Sequence, residues 1–434
     1  MDSEFPDACQ SYNATENEGN DGVVRRRKKR GDDNIEGMKA VEPPPWGELD
    51  DGIIETVLMR LPVADFFRLR SVCKGWSSLI HTPSFLNACT DIPRQPWFYM
   101  LESKAYAGVV YDTEANRWRH VNLPPPTKGS GKRKIPVAAS GGLVCFRSSS
   151  GELIVSNPLT GSSRLLPALK TDRALVAIAM LTEGTSYKIL VAHGRAPPFG
   201  VKVFASAENC WQETALRETC ELGKEMWSKE GDDVGGNRML VRNRRGVLGR
   251  RRELLRRGII HRDQSRELLG LTTVCESGNE IIHFLNVHGR VVSCNIHLGV
   301  TCMYPQLLPP EIEYSVDLVE CGGRVLMVVL LEMMESASLR IWEFDGEEDE
   351  WRQIMAMPPA MSKVFYGKKA DINCVGHGDL IMVCVSSLCF HRVVMCNIAE
   401  ATWVELPRCC KPHTRTINRF VSAYSFQPRI EACV

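Results

Sequence analysis
A short apolar strand, a polar turn, a large aromatic or aliphatic residue and a proline recur along most of this chain, and that recurrence limits the fold more than any other feature. Val109-Val110-Tyr111-Asp112 leads to Trp118 and Leu123-Pro124. Leu153 to Asn157 leads to Leu165-Leu166-Pro167, Val201 to Phe204 leads to Trp211, and Val291 to Asn295 leads to Tyr304-Pro305. Leu339 to Phe344 leads to Trp351 and Met357-Pro358, and Val393 to Asn397 leads to Trp403 and Leu406-Pro407. Markers at 118, 166, 211, 304, 351 and 403 are separated by 48, 45, 93, 47 and 52 residues. A unit near 47 residues made only of strands is the mark of a β-propeller with about four strands per blade. The interval of 93 is close to two units, so the markers allow six blades or seven. Gly141-Gly142, Gly322-Gly323 and the pair Gly376 and Gly378 each precede an apolar strand, where a tight turn needs positive φ.

The stretch Trp46 to Phe85 has a helical period instead. Asp50 and Asp51 suit a helix N-terminus, and Ile53, Ile54, Val57, Leu58 and Leu61 fall on one helical face. Pro62 ends that helix and can start the next. Phe66, Leu69 and Cys73 mark a second helix; Val72, Trp76, Leu79 and Ile80 mark a third that ends before Pro83. A unit of about forty residues buries little core of its own, so its apolar surface is expected to meet another body.

In their spacing, Leu61-Pro62, Arg68-Leu69-Arg70, Val72-Cys73-Lys74 and Trp76 resemble an F-box. One position departs from that pattern: many F-boxes carry a second Leu-Pro near the start, and here the pair is Leu49-Asp50. The repeats behind it resemble kelch repeats of the degenerate kind found in plant F-box/kelch proteins. The resemblance implies an α+β multidomain chain, with a small N-terminal three-helix F-box at 44–88 and an all-β kelch-like propeller of six or seven blades at 95–430. It further implies the substrate-recognition adaptor of a Skp–cullin–F-box (SCF) ubiquitin-protein ligase. The F-box would dock a Skp-type adaptor and, through it, a cullin; the propeller would bind a protein substrate not identified by the sequence. The adaptor-binding anchors it points to are Leu49, Ile53, Ile54, Val57, Leu61, Pro62, Val72, Cys73 and Trp76. Such a subunit is not an enzyme and needs no catalytic residue, cofactor or metal of its own, because transfer chemistry belongs to other subunits.

Composition sets the remaining limits. The 434 residues are 44% hydrophobic and 24% charged, ordinary for a soluble globular protein, and suffice for two or three domains. A formal net charge of +1 gives no global field toward nucleic acid or membrane, and no apolar run reaches membrane-spanning length. The polar, acidic start does not read as a secretory signal. The 17 cysteines contain no Cys-x-x-Cys spacing and read as reduced thiols of the cytosol or nucleus. Cys384, Cys389, His391 and Cys396 form a conceivable zinc set, but their Val/Ile/Met-rich run reads as strands with buried thiols. Residues 1–43 are too polar to order themselves. They carry Arg25, Arg26, Arg27, Lys28, Lys29 and Arg30, a candidate nuclear import signal. The nucleus, the cytoplasm or both are the expected location.

The segment 237–275 does not fit the repeat. Between Arg238 and Arg266 stand eleven arginines and no lysine, where a blade strand is expected. The composition reads as a stretch from a shifted frame or a retained intron, which would leave one blade damaged. An Arg-rich insertion that binds RNA or an acidic partner, and a solvated loop, are the other readings. Within it, Ile259-Ile260-His261-Arg262-Asp263 mimics a kinase catalytic loop, but position 268 is Leu where a metal-binding Asn is required. Two other functions stay open on sequence alone. One is a kelch-type propeller enzyme or ligand-binding protein; the other is an RNA-binding protein acting through the Arg-rich segments.

Overall fold
Six sheets, each built on four antiparallel strands, follow a group of short helices. The computed structural model describes residues 50–434 except 103–106, 123–133, 149, 172–174, 195–199, 216, 219–267, 270, 275–279, 286–289, 310–313, 334, 347, 388–389 and 411–419. The helices are α1 Asp51–Arg60, α2 Val63–Leu69, α3 Lys74–Ser78 and α4 Pro83–Cys89. Three helices were expected from periodicity, with Pro83 as the stop. Pro83 instead occupies the first helical position of a fourth helix, where a missing N–H costs nothing.

Blade 1 holds β1 Trp97–Glu102, β2 Ala107–Asp112 and β3 Arg117–Asn122. Blade 2 holds β4 Lys134–Ser140, β5 Leu143–Ser148, β6 Leu153–Ser156 and β7 Ser163–Leu165. Blade 3 holds β8 Leu175–Glu183, β9 Ser186–His193, β10 Gly200–Ala205 and β11 Cys210–Ala215. After the short strands β12 Arg217–Glu218 and β13 Leu268–Leu269, blade 4 holds β14 Leu271–Val274, β15 Glu280–Leu285, β16 Val291–Asn295 and β17 Val300–Met303. Blade 5 holds β18 Tyr314–Cys321, β19 Arg324–Met333, β20 Ser336–Asp345 and β21 Glu350–Ala356. Helix α5, Pro359–Ser362, leads to blade 6, with β22 Asp371–His377, β23 Leu380–Ser386, β24 His391–Asn397 and β25 Thr402–Glu405. The last strand, β26 Phe420–Phe426, pairs with β1 and completes blade 1 as its innermost strand, which closes the ring.

One turn recurs in every blade and explains the repeat. In five blades four residues lie between the third and fourth strands and the last has positive φ: Asn116, Asn209, Gly299, Asp349 and Ala401; in blade 2 six residues lie there, with positive φ at Gly161. In five blades an Asp or Asn precedes the turn and accepts from a backbone N–H inside it. Asp112 accepts from Ala115 at 3.1 Å, Asn157 from Leu159 at 2.9 Å, and Asn295 from Leu298 at 3.0 Å. Asp345 accepts from Glu348 at 3.4 Å and Asn397 from Glu400 at 3.2 Å. Such side chains stabilise a turn because they replace a backbone acceptor locally.

Two residues past the positive-φ position stand Trp118, Ser163, Trp211, Thr301, Trp351 and Trp403. Leu166 and Tyr304, used above as markers, lie three residues farther on, before the blade-ending prolines. Blades 3 and 4 each have their own four strands, so the long middle interval is one blade step plus an insertion and no blade is lost. The blade count is six. The insertion leaves along β12, parallel to the outer strand β17, and returns as β13, parallel to the inner strand β8. The Arg238–Arg266 run and the kinase-like pentapeptide lie outside the described residues.

The tryptophans fasten alternate blade junctions. Trp118 donates from its ring to the Pro407 carbonyl at 2.7 Å, Trp211 to Pro167 at 2.9 Å, and Trp351 to Pro305 at 2.8 Å. Each of these rings also packs against the aromatic residue across its hairpin, edge-on for Tyr111 at 5.0 Å and Phe344 at 5.4 Å and tilted for Phe204 at 5.4 Å. The pattern therefore joins blade 6 to 1, 2 to 3 and 4 to 5. Trp403 is different. The Pro358 carbonyl that would receive it already accepts from Met361 and Ser362 at the start of α5, and the Trp403 ring N–H has no acceptor among the described residues.

The other junctions use different bonds. Tyr424 donates to the Pro136 carbonyl at 2.6 Å between blades 1 and 2, and Lys188 pairs with buried Glu280 between blades 3 and 4. Between blades 5 and 6, Ser315 and Asp317 accept from the Ile372 and Cys374 N–H groups at 3.0 and 2.7 Å. Here β22 runs so close to β18 that a Cβ on Gly376 would lie 1.9 Å from the Glu320 carbonyl oxygen. Gly376 thus serves strand packing, while Gly378 takes the turn with φ 55°. The apolar core lies between neighbouring blades, as in the cluster shared by blades 2 and 3 or by blades 5 and 6. Cys384 and Cys396 enter different inter-blade clusters, on opposite faces of their sheet, and so cannot share one metal ion; Cys389 lies outside the described residues.

Trp351→Phe removes the bond to Pro305 together with the five-membered part of the ring, whereas Trp403→Phe removes ring volume alone. The first is expected to cost about 1 kcal/mol more than the second, as read by urea denaturation followed by circular dichroism. A second expectation concerns His283, which is buried in β15, where burial pushes its pKa from 6.5 down to about 4. The unfolded chain then takes up the proton first, so stability falls as pH drops from about 6.5 toward 4. The loss through this group is on the order of 3 kcal/mol, and His283→Asn should flatten that part of the pH–stability profile.

Candidate functional site
Helix α1 is apolar on two sides, and the two sides have different fates. Leu58 is 3% exposed and joins, with Ile54 packed on it, the apolar cluster that the helices share with the propeller; Ile53 and Val57, one turn apart on the other side, are each 52% exposed. Val72, in the turn between α2 and α3, is 63% exposed. Full burial of such side chains is worth roughly 1.5–3 kcal/mol each, and about half of it is still available here. Cys73, next in sequence, is also exposed and caps α3, its Sγ accepting from the Trp76 N–H at 3.4 Å. The expected stripe placed Cys73 on the second helix; α2 ends at Leu69, and Cys73 belongs to the start of the next helix.

The inner side is continuous with the propeller. Phe66 stacks on Phe85 at 5.4 Å. Both join a cluster with Leu58, Val63, Cys89, Trp97, Tyr99, Val110, Tyr424, Phe426 and Ile430, and the half-buried Ile54, Leu61 and Trp76 pack against it. Sequence alone suggested a helical unit apart from a β body with its own core. The core is shared instead, within one compact unit spanning Gly52–Val434. Of the nine expected anchors, Ile53, Val57, Val72 and Cys73 therefore face solvent; Ile54, Leu61, Pro62 and Trp76 are half-buried; Leu49 lies outside the described residues.

Arg94, which periodicity gave no reason to single out, fixes this seat. It donates from Nη1 to the Leu61 carbonyl at 2.6 Å and from Nη2 to the Met59 carbonyl. These carbonyls lie at the end of α1, where the helix dipole favours a cation. The C-terminal segment adds a second tie. Asn157 donates from Nδ2 to the Arg429 and Ala432 carbonyls at 2.9 and 3.0 Å, and Glu431 accepts from Arg429 Nε at 2.6 Å. Burial, with the Glu431 carboxylate adding to it and Arg94 opposing, pushes the Cys89 thiol up to about 11, so it is an inert core group.

All these contacts lie on the face that carries the end of β26, the start of β1 and the β6–β7 turn. The opposite face carries the links between second and third strands and those between blades. Among the described residues no group of three or more His, Cys, Asp and Glu side chains is placed to hold a metal ion. The basic run Arg25–Arg30 lies outside the described residues.

Comparison with known proteins fits this geometry. Residues 46–87 match the F-box domain model. F-box only protein 13 of Arabidopsis thaliana is 37% identical over 90% of this chain and 86% of its own length. F-box only protein 6 of the same plant is 27% identical over 88% of this chain and 74% of its own length. An F-box/kelch-repeat protein of that plant is 22% identical over 91% of this chain and 90% of its own. Arg94→Ala is expected to leave two α1 carbonyls without their cation, at a cost of roughly 1.5–3 kcal/mol local to α1. Hydrogen exchange should show faster exchange in 54–61 with the blades unchanged; unaltered protection of α1 would show that the clamp is idle.

Proposed function
The chain belongs to the F-box protein family, and on that premise we propose that it is the substrate-recognition subunit of a Skp–cullin–F-box ubiquitin ligase. The observation that carries this reading is the two-sided helical unit. One side is spent on the propeller, while Ile53, Val57, Val72 and Cys73 remain open on the other. A Skp-type adaptor covering that side recruits a cullin, and the propeller holds the protein substrate. The chain contributes proximity and orientation, raising the local concentration of substrate lysines at the conjugating enzyme without a catalytic group of its own. In this reading Arg25–Arg30 is an import signal, and the protein works in the nucleus and cytoplasm; no helix among the described residues is long and apolar enough to cross a membrane.

The exposed anchors give the cleanest test. Val57→Asp and Val72→Asp place a charge in the docking face without touching the shared core. Each is expected to weaken capture of a recombinant Skp-type adaptor at least about tenfold with little change in Tm. Leu61→Asp and Trp76→Ala are expected to lose capture too, but with a lowered Tm, because both side chains pack on the cluster beneath. Undiminished adaptor capture by the two exposed-site variants would overturn the proposal.

A further inference from the structure
The face of the propeller opposite the helices carries a second apolar patch that neither ring closure nor the helices use. Met333 at the end of β19 is 49% exposed; Val364, in the one-turn helix Lys363–Phe365 after α5, and Tyr366, which follows that helix, are 39% and 43% exposed. The segment that bears the last two is held rigidly. Ser362 donates to the Ala337 carbonyl at 2.8 Å, buried Phe365 packs edge-on against Phe390 at 5.9 Å, and the Glu332 carboxylate accepts from the Gly367 and Lys369 N–H groups at 3.1 Å each. A flexible loop would turn such side chains inward; this one is pinned so that Phe365 goes in while its two neighbours stay out. Rigid presentation lowers the ordering cost of a contact.

Lys363, Lys368 and Lys369 surround the patch, all exposed, and none makes an ion pair among the described residues. Among the described residues of the two segments that bear the patch, 332–335 and 363–369, two are carboxylates. Glu332 is engaged by backbone N–H groups, and Glu335 sits exposed in the β19–β20 turn. The balance is positive, but two carboxylates among three lysines repel a continuous phosphate backbone, and apolar tips offer it nothing. An apolar anchor flanked by separate carboxylates fits better, since each charge can meet one lysine while the anchor covers Val364, Tyr366 and Met333.

We propose that Met333, Val364 and Tyr366, with Lys363, Lys368 and Lys369 around them, form a docking patch for an acidic peptide segment carrying an aliphatic or aromatic anchor. This rests on the reading of the chain as a substrate-recognition subunit, and it names the kind of segment such a substrate presents. The location suits that role, because the patch lies on the face turned away from the adaptor-docking helices.

The test is selection of a random display library of about twelve-residue peptides on the full chain. Two variants serve as controls: Val364→Ser with Tyr366→Ser, and Lys363→Glu with Lys368→Glu and Lys369→Glu. The expected result is enrichment of Asp and Glu beside an apolar residue. Binding of the recovered peptides should fall about tenfold in each variant and weaken with salt, with Tm unchanged in both. Recovery of no peptide, recovery without acidic enrichment, equal binding to the variants, or tighter binding of a single-stranded oligonucleotide at the same residues overturns the patch. Adaptor capture is measured on the same proteins. Its absence in the unmutated chain would strike the ligase reading alone, while its retention in both variants keeps the two conclusions separate.

Discussion
The pairing of Phe420–Phe426 with Trp97–Glu102 is the interaction on which the rest of the structure depends. It joins the two ends of the ring, so blade 1 exists only when both are present. It also builds the seat for the helices. Because side chains alternate across a strand, Trp97 and Tyr99 of β1 join the helical cluster with Tyr424 and Phe426, while Phe98 and Met100 enter the core shared with blade 6. One hydrogen-bonded ladder therefore serves closure on one side and helix docking on the other. Residues beyond it extend the seat: Ile430 joins the helical cluster, and Ala432 and Val434 pack against the core of blades 2 and 3.

Around the ring, two kinds of junction alternate. Tryptophan-to-proline bonds with aromatic pairs fasten three of them, and buried polar links between strands fasten the others. The result holds the helical face and the opposite loop-bearing face of the ring in one frame. In the proposed reading, the spacing between the helical face and the opposite loop-bearing face is the functional quantity, and packed strands and the Arg94 clamp set it.

Much of this was legible in the sequence, and the parts that were not have physical reasons. The apolar runs ending in Asp112, Asn157, Asn295 and Asn397 gave the third strand of four blades and the propeller class. The count stayed at six or seven because the insertion after blade 3 stretches one blade step to 93 residues, close to two units; Ser163 and Thr301, which stand where other blades have Trp, also moved two markers to Leu166 and Tyr304. Counting from the positive-φ turn, four residues after the Asp or Asn, restores the register. The exposed and buried anchors of α1 looked alike because periodicity reports an apolar face without saying what covers it. Only the place of Ile54 and Leu58 in the cluster shared by helices and propeller separates them from Ile53 and Val57. Arg94 and the C-terminal strand act over long separations that no local pattern encodes.

Hydrogen exchange on the full chain, with and without a Skp-type adaptor, tests the central claim most directly. If the helical unit has one face fused to the propeller and one face free, the adaptor should slow exchange in residues 52–60 and 70–76. Exchange in α4, β1 and β26 should stay slow and unchanged in both states. Slowing confined to α4, β1 or β26, or no change in α1 with the adaptor in excess, would contradict it.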